Sequence, residues 1–439
     1  MTTSISRTDK RSLLCTLILV PLVVVLLVLS WFRGGIPNQQ NEPSSPEDSV
    51  HPTEHVVAGY FVDWAIYDRG YGVADLAKES DKLSHVLYAF ANLMDDGTIV
   101  LGDDWADKDK HFTEDETFNH QPDNWNDIGT NLYGNLKQLY LLKQRNRNLK
   151  VSLSVGGWSW STNFTTVAKD PAKRARFAES ALQHVQDYGL DGLDVDWEHP
   201  KDDEEAQAYV DLLHDLREKL TNKYLISVAV SSGAEVYRKM HLKDMAQHLD
   251  FFYIMAYDLA GAWDPVIGHQ AALYGTLSVK SAIDDYLAAG VPAQKIIMGI
   301  PAYGRAFSKV KSAKPGSSFN GVPQGSWEEG SFDYKDLPRP GATEHIDEEA
   351  MASYSYDPKK HEFVTYDNPY IVEKKCDLVR ELGLGGVMFW ELSADNHGSE
   401  DRSLLYAASR AFGGNIDTTR NHLDYPQSRF DNIRNKMQS

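Results

Sequence analysis

Three acidic residues occur at every second position of one apolar segment. The segment Leu190–Pro200 reads L-D-G-L-D-V-D-W-E-H-P and contains Asp194, Asp196 and Glu198. Side chains of a β-strand alternate between its two faces, so these three acids should share one face. Like charges raise one another's pKa, so a proton should be shared between Asp194 and Asp196. Partial burial would also keep Glu198 protonated near neutral pH, as a general acid requires.

Short apolar segments alternate with helical patterns from residue 55 onward, and this order predicts how the acids are held. The predicted strands are Val56–Val62, His85–Phe90, Lys150–Val155, Leu190–Asp196, Tyr224–Val230, Phe251–Met255, Lys295–Ile300 and Gly385–Trp390. The predicted helices include Asn131–Arg145, Pro171–Tyr188, Ala206–Leu220 and Val279–Ala289. Eight repeats of strand and helix favour an α/β fold, a (β/α)8 TIM barrel, over a doubly wound open sheet. Glu198 would then lie at the carboxyl end of its strand, where barrel enzymes have their active sites.

One interval is too long for a single barrel helix and its loops. It runs from Tyr303 to Leu382 and combines turn-rich sequence with strand-like segments, which predicts an inserted small α+β domain. The predicted organisation is a cytoplasmic segment at 1–12, a transmembrane signal anchor at 13–32, a disordered stalk at 33–54, the first part of the barrel at 55–305, the insertion at 306–367, and the last part of the barrel with a C-terminal tail at 368–439.

The N-terminal segment predicts attachment to a membrane. Leu13 to Phe32 is an uncharged apolar run of twenty residues, long enough to span a bilayer as one helix. Arg7, Lys10 and Arg11 precede it, so the N-terminus should stay cytoplasmic and the remainder should be extracellular. A long signal peptide that is cleaved, giving a secreted protein, is the alternative.

Composition limits the partners that the protein can have. The formal net charge of -19 argues against nucleic acid, because phosphate binding needs basic surfaces. A neutral polysaccharide meets no such objection. The two cysteines, Cys15 and Cys376, should lie in different environments, so we expect neither a disulfide framework nor a cysteine metal site.

Several motifs in chain order resemble those of family 18 glycoside hydrolases, the chitinases. The acidic segment resembles the D-x-x-D-x-D-x-E signature of that family. Further matches are Ser154–Gly157 (S-x-G-G), Met255–Asp258 (M-x-Y-D), Gly299–Arg305 and Gly386–Glu391. The likeness covers residue 56 to the C-terminus, and it is greatest to fungal and bacterial chitinases with the α+β insertion. His199 departs from the family pattern, which often has Tyr at this position. A histidine here would alter the pH dependence near Glu198.

The resemblance implies a mechanism in which the substrate supplies the nucleophile. Glu198 would protonate the glycosidic oxygen and later activate water, while the 2-acetamido carbonyl of the sugar attacks the anomeric carbon. Asp196 would bind the acetamide N–H, and Asp194 would share a proton with Asp196. Tyr257 would donate a hydrogen bond to the acetamide oxygen, and Asp258 would orient the sugar. No metal and no cofactor are required.

Aromatic residues at or beyond the carboxyl ends of the predicted strands should contact the substrate, because pyranose rings stack on aromatic side chains. They are Tyr60, Trp64, Phe90, Trp158, Trp263, Tyr303 and Trp390, and the other predicted contacts are Gly157, Met255 and Arg305. Ser154 should support the acids from the neighbouring strand. The expected partners are chitin and chitin oligosaccharides, bound by a monomer. The alternatives are an endo-β-N-acetylglucosaminidase that acts on glycoproteins and a non-catalytic chitin-binding lectin.

Overall fold

Fourteen β-strands form two sheets in the computed structural model, which describes residues 54–438. They are β1 Val56–Val62, β2 His85–Leu93, β3 Ile99–Leu101, β4 Lys150–Gly156, β5 Gly192–Asp196, β6 Leu225–Ser231, β7 Phe251–Met255, β8 Ile296–Pro301, β9 Tyr303–Phe307, β10 Ser331–Asp333, β11 Thr343–Asp347, β12 Ala352–Asp357, β13 Glu362–Tyr366 and β14 Gly386–Trp390. Eight of these strands are parallel and follow the order β1-β14-β8-β7-β6-β5-β4-β2. Pairing of β1 with β2 closes this sheet, which confirms the predicted barrel.

Eleven α-helices accompany these strands within the described residues. They are α1 Val73–Glu79, α2 Gly134–Arg145, α3 Phe164–Lys169, α4 Pro171–Tyr188, α5 Asp203–Leu220, α6 Ala234–Tyr237, α7 Leu242–Met245, α8 Val279–Ala288, α9 Pro369–Leu382, α10 Leu404–Ala411 and α11 Asp431–Arg434. Helix α4 begins as its sequence predicts, because Asp170 accepts a hydrogen bond from the N–H of Ala172 at 2.8 Å. Helix α5 begins earlier than predicted, since Asp202 accepts from the N–H of Glu205 at 2.9 Å and adds an acidic first turn.

The second sheet differs from the predicted insertion. Its five strands are antiparallel, in the order β10-β9-β13-β12-β11, and its first strand begins at Tyr303. Between residues 306 and 367 the described structure has a short 3-10 turn at Tyr334–Asp336 but no α-helix, so the prediction of an α+β unit was wrong. Proline and glycine recur through the segment, at Pro315-Gly316, Pro323, Gly330 and Pro338–Gly341, and both residue types disfavour a continuous helix.

The predicted N-terminal elements lie outside the described residues. These are the cytoplasmic segment 1–12, the anchor 13–32 and nearly all of the stalk 33–54. Within 54–438, no helix has the length and apolar character needed to cross a membrane.

A buried ion pair holds the amino-terminal end of β5, opposite the end that leads to Glu198. Nζ of Lys143 lies 2.8 Å from Oδ2 of Asp191, and each side chain is only 1% exposed. The same carboxylate accepts hydrogen bonds from the N–H of Val151 at 2.8 Å and of His422 at 2.7 Å. Asp191 therefore connects α2, β4 and the C-terminal tail, which is a structural role.

Loss of this carboxylate should destabilise the barrel without affecting chemistry at its other end. Asp191→Ala leaves the Lys143 ammonium buried without its partner, so we expect the free energy of unfolding to fall by about 3–5 kcal/mol. Urea unfolding followed by tryptophan fluorescence measures this change. Asp424→Ala is the control, because Asp424 pairs with Lys436 at the surface, where a pair contributes at most about 1 kcal/mol. Equal losses for the two variants would contradict the prediction.

Candidate active site

Asp194 lies inside the barrel and accepts hydrogen bonds from three hydroxyl groups on three strands. Oδ2 accepts from Oη of Tyr60 at 2.9 Å and from Oγ of Ser154 at 2.7 Å. Oδ1 accepts from Oγ of Ser227 at 2.7 Å. Burial raises the pKa of Asp194, and the three hydroxyl groups act in the opposite direction by stabilising the carboxylate.

Asp196 lies two residues further along β5 and is also buried, but fewer hydrogen bonds stabilise its carboxylate. Its Oδ1 is buried and has no hydrogen-bond donor among the described residues. Burial raises the pKa of Asp196 well above its usual value, and the neighbouring charges of Glu198 and Asp194 raise it further. Asp196 is therefore a group that can take up a proton, or accept a hydrogen bond from a ligand that enters the site.

Glu198 lies two residues after the end of β5 and is partly exposed. Burial, followed by the negative charge of Asp258, raises the pKa of Glu198 to about 7. Its Oε2 lies 3.8 Å from Nε2 of His199, beyond hydrogen-bonding distance. The pKa of His199 is lowered by burial, so its ring is neutral near pH 7. A carboxyl group with this pKa can both donate and accept a proton at neutral pH.

Tyr257 and Asp258 follow β7 and form the opposite side of the site. Burial raises the pKa of Tyr257, as do the charges of the acids, Asp196 first among them, so its hydroxyl remains a donor. Asp258 accepts hydrogen bonds from Nε and Nη2 of Arg305 at 2.8 and 2.9 Å and from Oη of Tyr303 at 2.8 Å. Tyr303 and Arg305 belong to β9, so the second sheet holds one of the carboxylates of the site.

Aromatic rings extend from Asp194 towards the outside of the barrel. The rings of Tyr60 and Trp390 have centroids 5.0 Å apart, and those of Phe90 and Trp390 are stacked at 5.8 Å. Trp64, with 40% of its surface exposed, lies 6.3 Å from the ring of Phe90. These four residues, predicted from the ends of three strands, form one aromatic cluster that can stack on a sugar.

The remaining predicted contacts occupy the rim of the barrel with differing exposure. Trp158 and Trp263 are 80% and 61% exposed, and the guanidinium of Arg305 lies 5.5 Å from the ring centroid of Trp263. Gly157 has a positive φ of 79°, and a Cβ there would lie 2.8 Å from the ring of Phe90. Met255, the last residue of β7, is half-buried and accepts a hydrogen bond through its carbonyl from Oγ of Ser232 at 2.8 Å.

Two features of the site were missed by the sequence analysis. Ser227 is one of the three donors to Asp194. It pairs with Asp194 in the register of β5 and β6, and this register is not apparent from the sequence. The second is Arg69, which pairs with Asp333 of the second sheet at 3.0 Å and with Glu391 after β14 at 3.1 Å. The indole N–H of Trp327 donates to the same Asp333 at 2.8 Å.

The arrangement contains the groups needed for acid–base chemistry. Within residues 54–438, no group of three or more His, Cys, Asp or Glu side chains has the geometry to hold a metal ion. Burial lowers the pKa of His85 to about 3, and it also lowers the pKa of His269, whose Nε2 lies 3.0 Å from Oδ2 of Asp347. Cys376 is buried in α9, and Cys15 lies outside the described residues.

Comparisons with known proteins agree with this geometry. The profile of Glycosyl hydrolases family 18 matches residues 56–395. The chain belongs to this family. It is 44% identical over 415 residues to Endochitinase 1 of Metarhizium robertsii, covering 90% of this chain and 94% of that protein. It is 42% identical to Chitinase 1 of Aphanocladium album, covering 87% and 90%. The catalytic domain of psychrophilic chitinase B from Arthrobacter TAD20 superposes with a TM-score of 0.76 at 28% identity, covering 84% and 98%.

The raised pKa of Glu198 predicts a basic limb in the pH profile of this glycosyl hydrolase. Its acid form is present below a pKa of about 7 and is lost as the pH rises through that value. We expect kcat/KM for an N-acetylglucosamine oligomer to fall about tenfold per pH unit on the alkaline side. His199→Gln should keep this limb, because the lowered pKa of His199 places its titration at a more acidic pH. A constant kcat/KM between pH 6 and pH 9 would contradict the assignment.

Proposed function

We propose that this protein is a chitinase, which hydrolyses β-1,4 linkages between N-acetylglucosamine units with retention of configuration. The observation that supports this most is the contrast between Asp194 and Asp196. The first accepts hydrogen bonds from three hydroxyl groups, whereas Oδ1 of the second is buried and has no donor within residues 54–438. An acetamide N–H of the substrate would satisfy that oxygen, and simple glucans have no such group.

The first step breaks the glycosidic bond. Glu198 transfers its proton to the glycosidic oxygen, and the carbonyl oxygen of the 2-acetamido group forms a new bond to the anomeric carbon as the old bond breaks. The resulting oxazolinium ion is positively charged. Asp196 accepts the acetamide N–H and stabilises this charge, while the hydroxyl of Tyr257 donates to the acetamide oxygen. The negative charge of Asp194 helps to raise the pKa of Asp196.

The second step releases the sugar. The carboxylate of Glu198, left without its proton, takes a proton from water as the water oxygen attacks the anomeric carbon and the oxazolinium ring opens. Both steps invert the anomeric carbon, so the product is the β-anomer. A pKa of about 7 suits both roles, because neither form of the carboxyl is strongly favoured at neutral pH.

The aromatic cluster and the second sheet would bind the chain on either side of the broken bond. Trp390 would carry the reacting sugar, with Tyr60 and Phe90 beside it and Trp64 further along. Asp258, held by Arg305, would orient that sugar. Trp158, Trp263, Tyr303, Met255 and Gly157 would complete the contacts. One chain contains all of these groups, so we propose that a monomer is active.

Replacement of the acid should separate binding from turnover. Glu198→Gln keeps the shape of the side chain but cannot protonate the leaving oxygen, so we expect kcat on the N-acetylglucosamine tetramer to fall about 10³-fold. Calorimetric titration of the same variant with the tetramer should give a Kd within about threefold of the native value. Glu235→Gln, an exposed carboxylate that follows β6, is the matched control and should retain full activity.

Assays of the native protein on the tetramer and on a glycoprotein distinguish a chitinase from the two alternative functions. Chitinase activity requires that native protein release short oligosaccharides whose first detectable anomer is β. Release of N-glycans from a glycoprotein, without any action on the tetramer, would identify an endo-β-N-acetylglucosaminidase instead. Tetramer binding without turnover by the native protein would identify a lectin.

We further propose that residues 13–32 anchor the protein in a membrane by a single span, with the catalytic domain outside the cell. The uncharged run of twenty residues and the three preceding basic residues support this orientation. The native chain should remain in the membrane pellet after alkaline carbonate extraction, and removal of residues 1–33 should make it extractable. N-terminal sequencing that begins after residue 32 would show instead that the segment is cleaved and the protein secreted.

A further inference from the structure

Glu198, the residue that we propose as the acid, lies beyond the backbone pairing of the barrel sheet. The last pair of β5 with β4 joins Gly156 and Asp196, and its last pair with β6 joins Val195 and Val228. Glu198 lies two residues beyond the first of these pairs and three beyond the second. Its backbone therefore needs some other support if its carboxyl is to be kept in one place.

Ser161 supplies contacts at this point. It lies in the loop that follows β4 and is buried, with 6% of its surface exposed. Its Oγ accepts a hydrogen bond from the backbone N–H of Glu198 at 2.8 Å. The same Oγ lies 3.0 Å from the carbonyl oxygen of Gly157 and 3.2 Å from that of Asp196, so its one proton is donated to these carbonyls.

These contacts lie on both sides of Trp197, the residue between Asp196 and Glu198. Ser161 meets the carbonyl of Asp196 and the N–H of Glu198, which are the backbone groups on either side of Trp197. The N–H of Gly157 also donates to the carbonyl of Asp196, at 2.8 Å. The indole of Trp197 is buried and stacks on Phe164 with centroids 5.7 Å apart. One hydroxyl thus joins the loop after β4 to the turn that carries Glu198.

We propose that Ser161 is a positioning residue for Glu198, which aims the acid at the glycosidic oxygen through the backbone. The carboxylate of Glu198 is 3.8 Å from His199 and gains no hydrogen bond from that ring, so a shift of its backbone would move the carboxyl group with it. This inference rests on the proposed function, since it assumes that Glu198 protonates the leaving group. A displacement of about 1 Å in such a group can cost about 100-fold in rate.

The choice of leaving group separates positioning of the acid from a general effect on the fold. An alcohol of the sugar chain must be protonated as it departs, whereas dinitrophenolate departs without a proton. The quantity kcat/KM includes the steps up to departure of the leaving group. We therefore compare kcat/KM for the N-acetylglucosamine tetramer with kcat/KM for a dinitrophenyl glycoside of the disaccharide.

Ser161→Ala removes the hydroxyl and should act selectively. We expect kcat/KM to fall about 10- to 100-fold for the tetramer and less than about threefold for the dinitrophenyl glycoside. Ser84→Ala is the matched control. Ser84 is also buried and bridges backbone, since its Oγ accepts from the N–H of Val57 at 2.9 Å and lies 3.2 Å from the carbonyl of that residue. It lies at the opposite end of the barrel, so any loss should be the same for both substrates.

Equal losses on the two substrates for Ser161→Ala would overturn the proposal, as would full activity on the tetramer. If this variant does not fold, Ser161→Cys is measured in the same way, and the same two outcomes decide. Glu198→Gln on both substrates distinguishes the two proposals. If that variant shows no dependence on the leaving group, the assignment of Glu198 as the acid fails, whatever Ser161 does.

Discussion

The burial of two carboxyl groups on one strand of a closed barrel is the constraint on which the rest of this site depends. A charge inside a protein is costly unless hydrogen bonds or an opposite charge stabilise it. Asp194 is stabilised by hydroxyl groups from β1, β4 and β6, which meet at that carboxylate only because the barrel is closed. Among the described residues Asp196 has no donor to Oδ1, so its carboxylate is the less stabilised of the two and its pKa is raised well above the usual value.

Tyr60 connects this electrostatic centre with the surface that would bind sugar. Its hydroxyl donates to Asp194, while its ring packs against Trp390. The position of the aromatic floor and the position of the carboxylates are therefore coupled through one buried side chain. A change that displaced the ring would alter both the hydrogen bonding of Asp194 and the packing of Trp390.

The second sheet contributes to the site by charge as well as by shape. Arg305 on β9 forms a bidentate pair with Asp258, and Asp333 on β10 accepts from Arg69 of the loop after β1. Paired guanidinium groups of this kind fix both distance and orientation. The inserted strands are thus held to the barrel by the Arg305–Asp258 and Arg69–Asp333 pairs. The charge of Asp258 also raises the pKa of Glu198.

The sequence by itself determined the eight-stranded barrel and the acids on alternate positions of β5, because both follow from a local period of apolar and acidic residues. It also predicted Tyr60, Phe90 and Trp390, since each lies at or near the carboxyl end of a predicted strand. Only the tertiary structure decided that Ser227 and Ser161 support the acids, that Arg69 joins the two sheets, and that the inserted unit has no α-helix within residues 306–367. These are contacts between residues far apart in the chain. A lone serine in a strand or loop has no periodic signal that distinguishes a buried hydrogen-bond donor from a solvated one, so only the closed barrel reveals its partner.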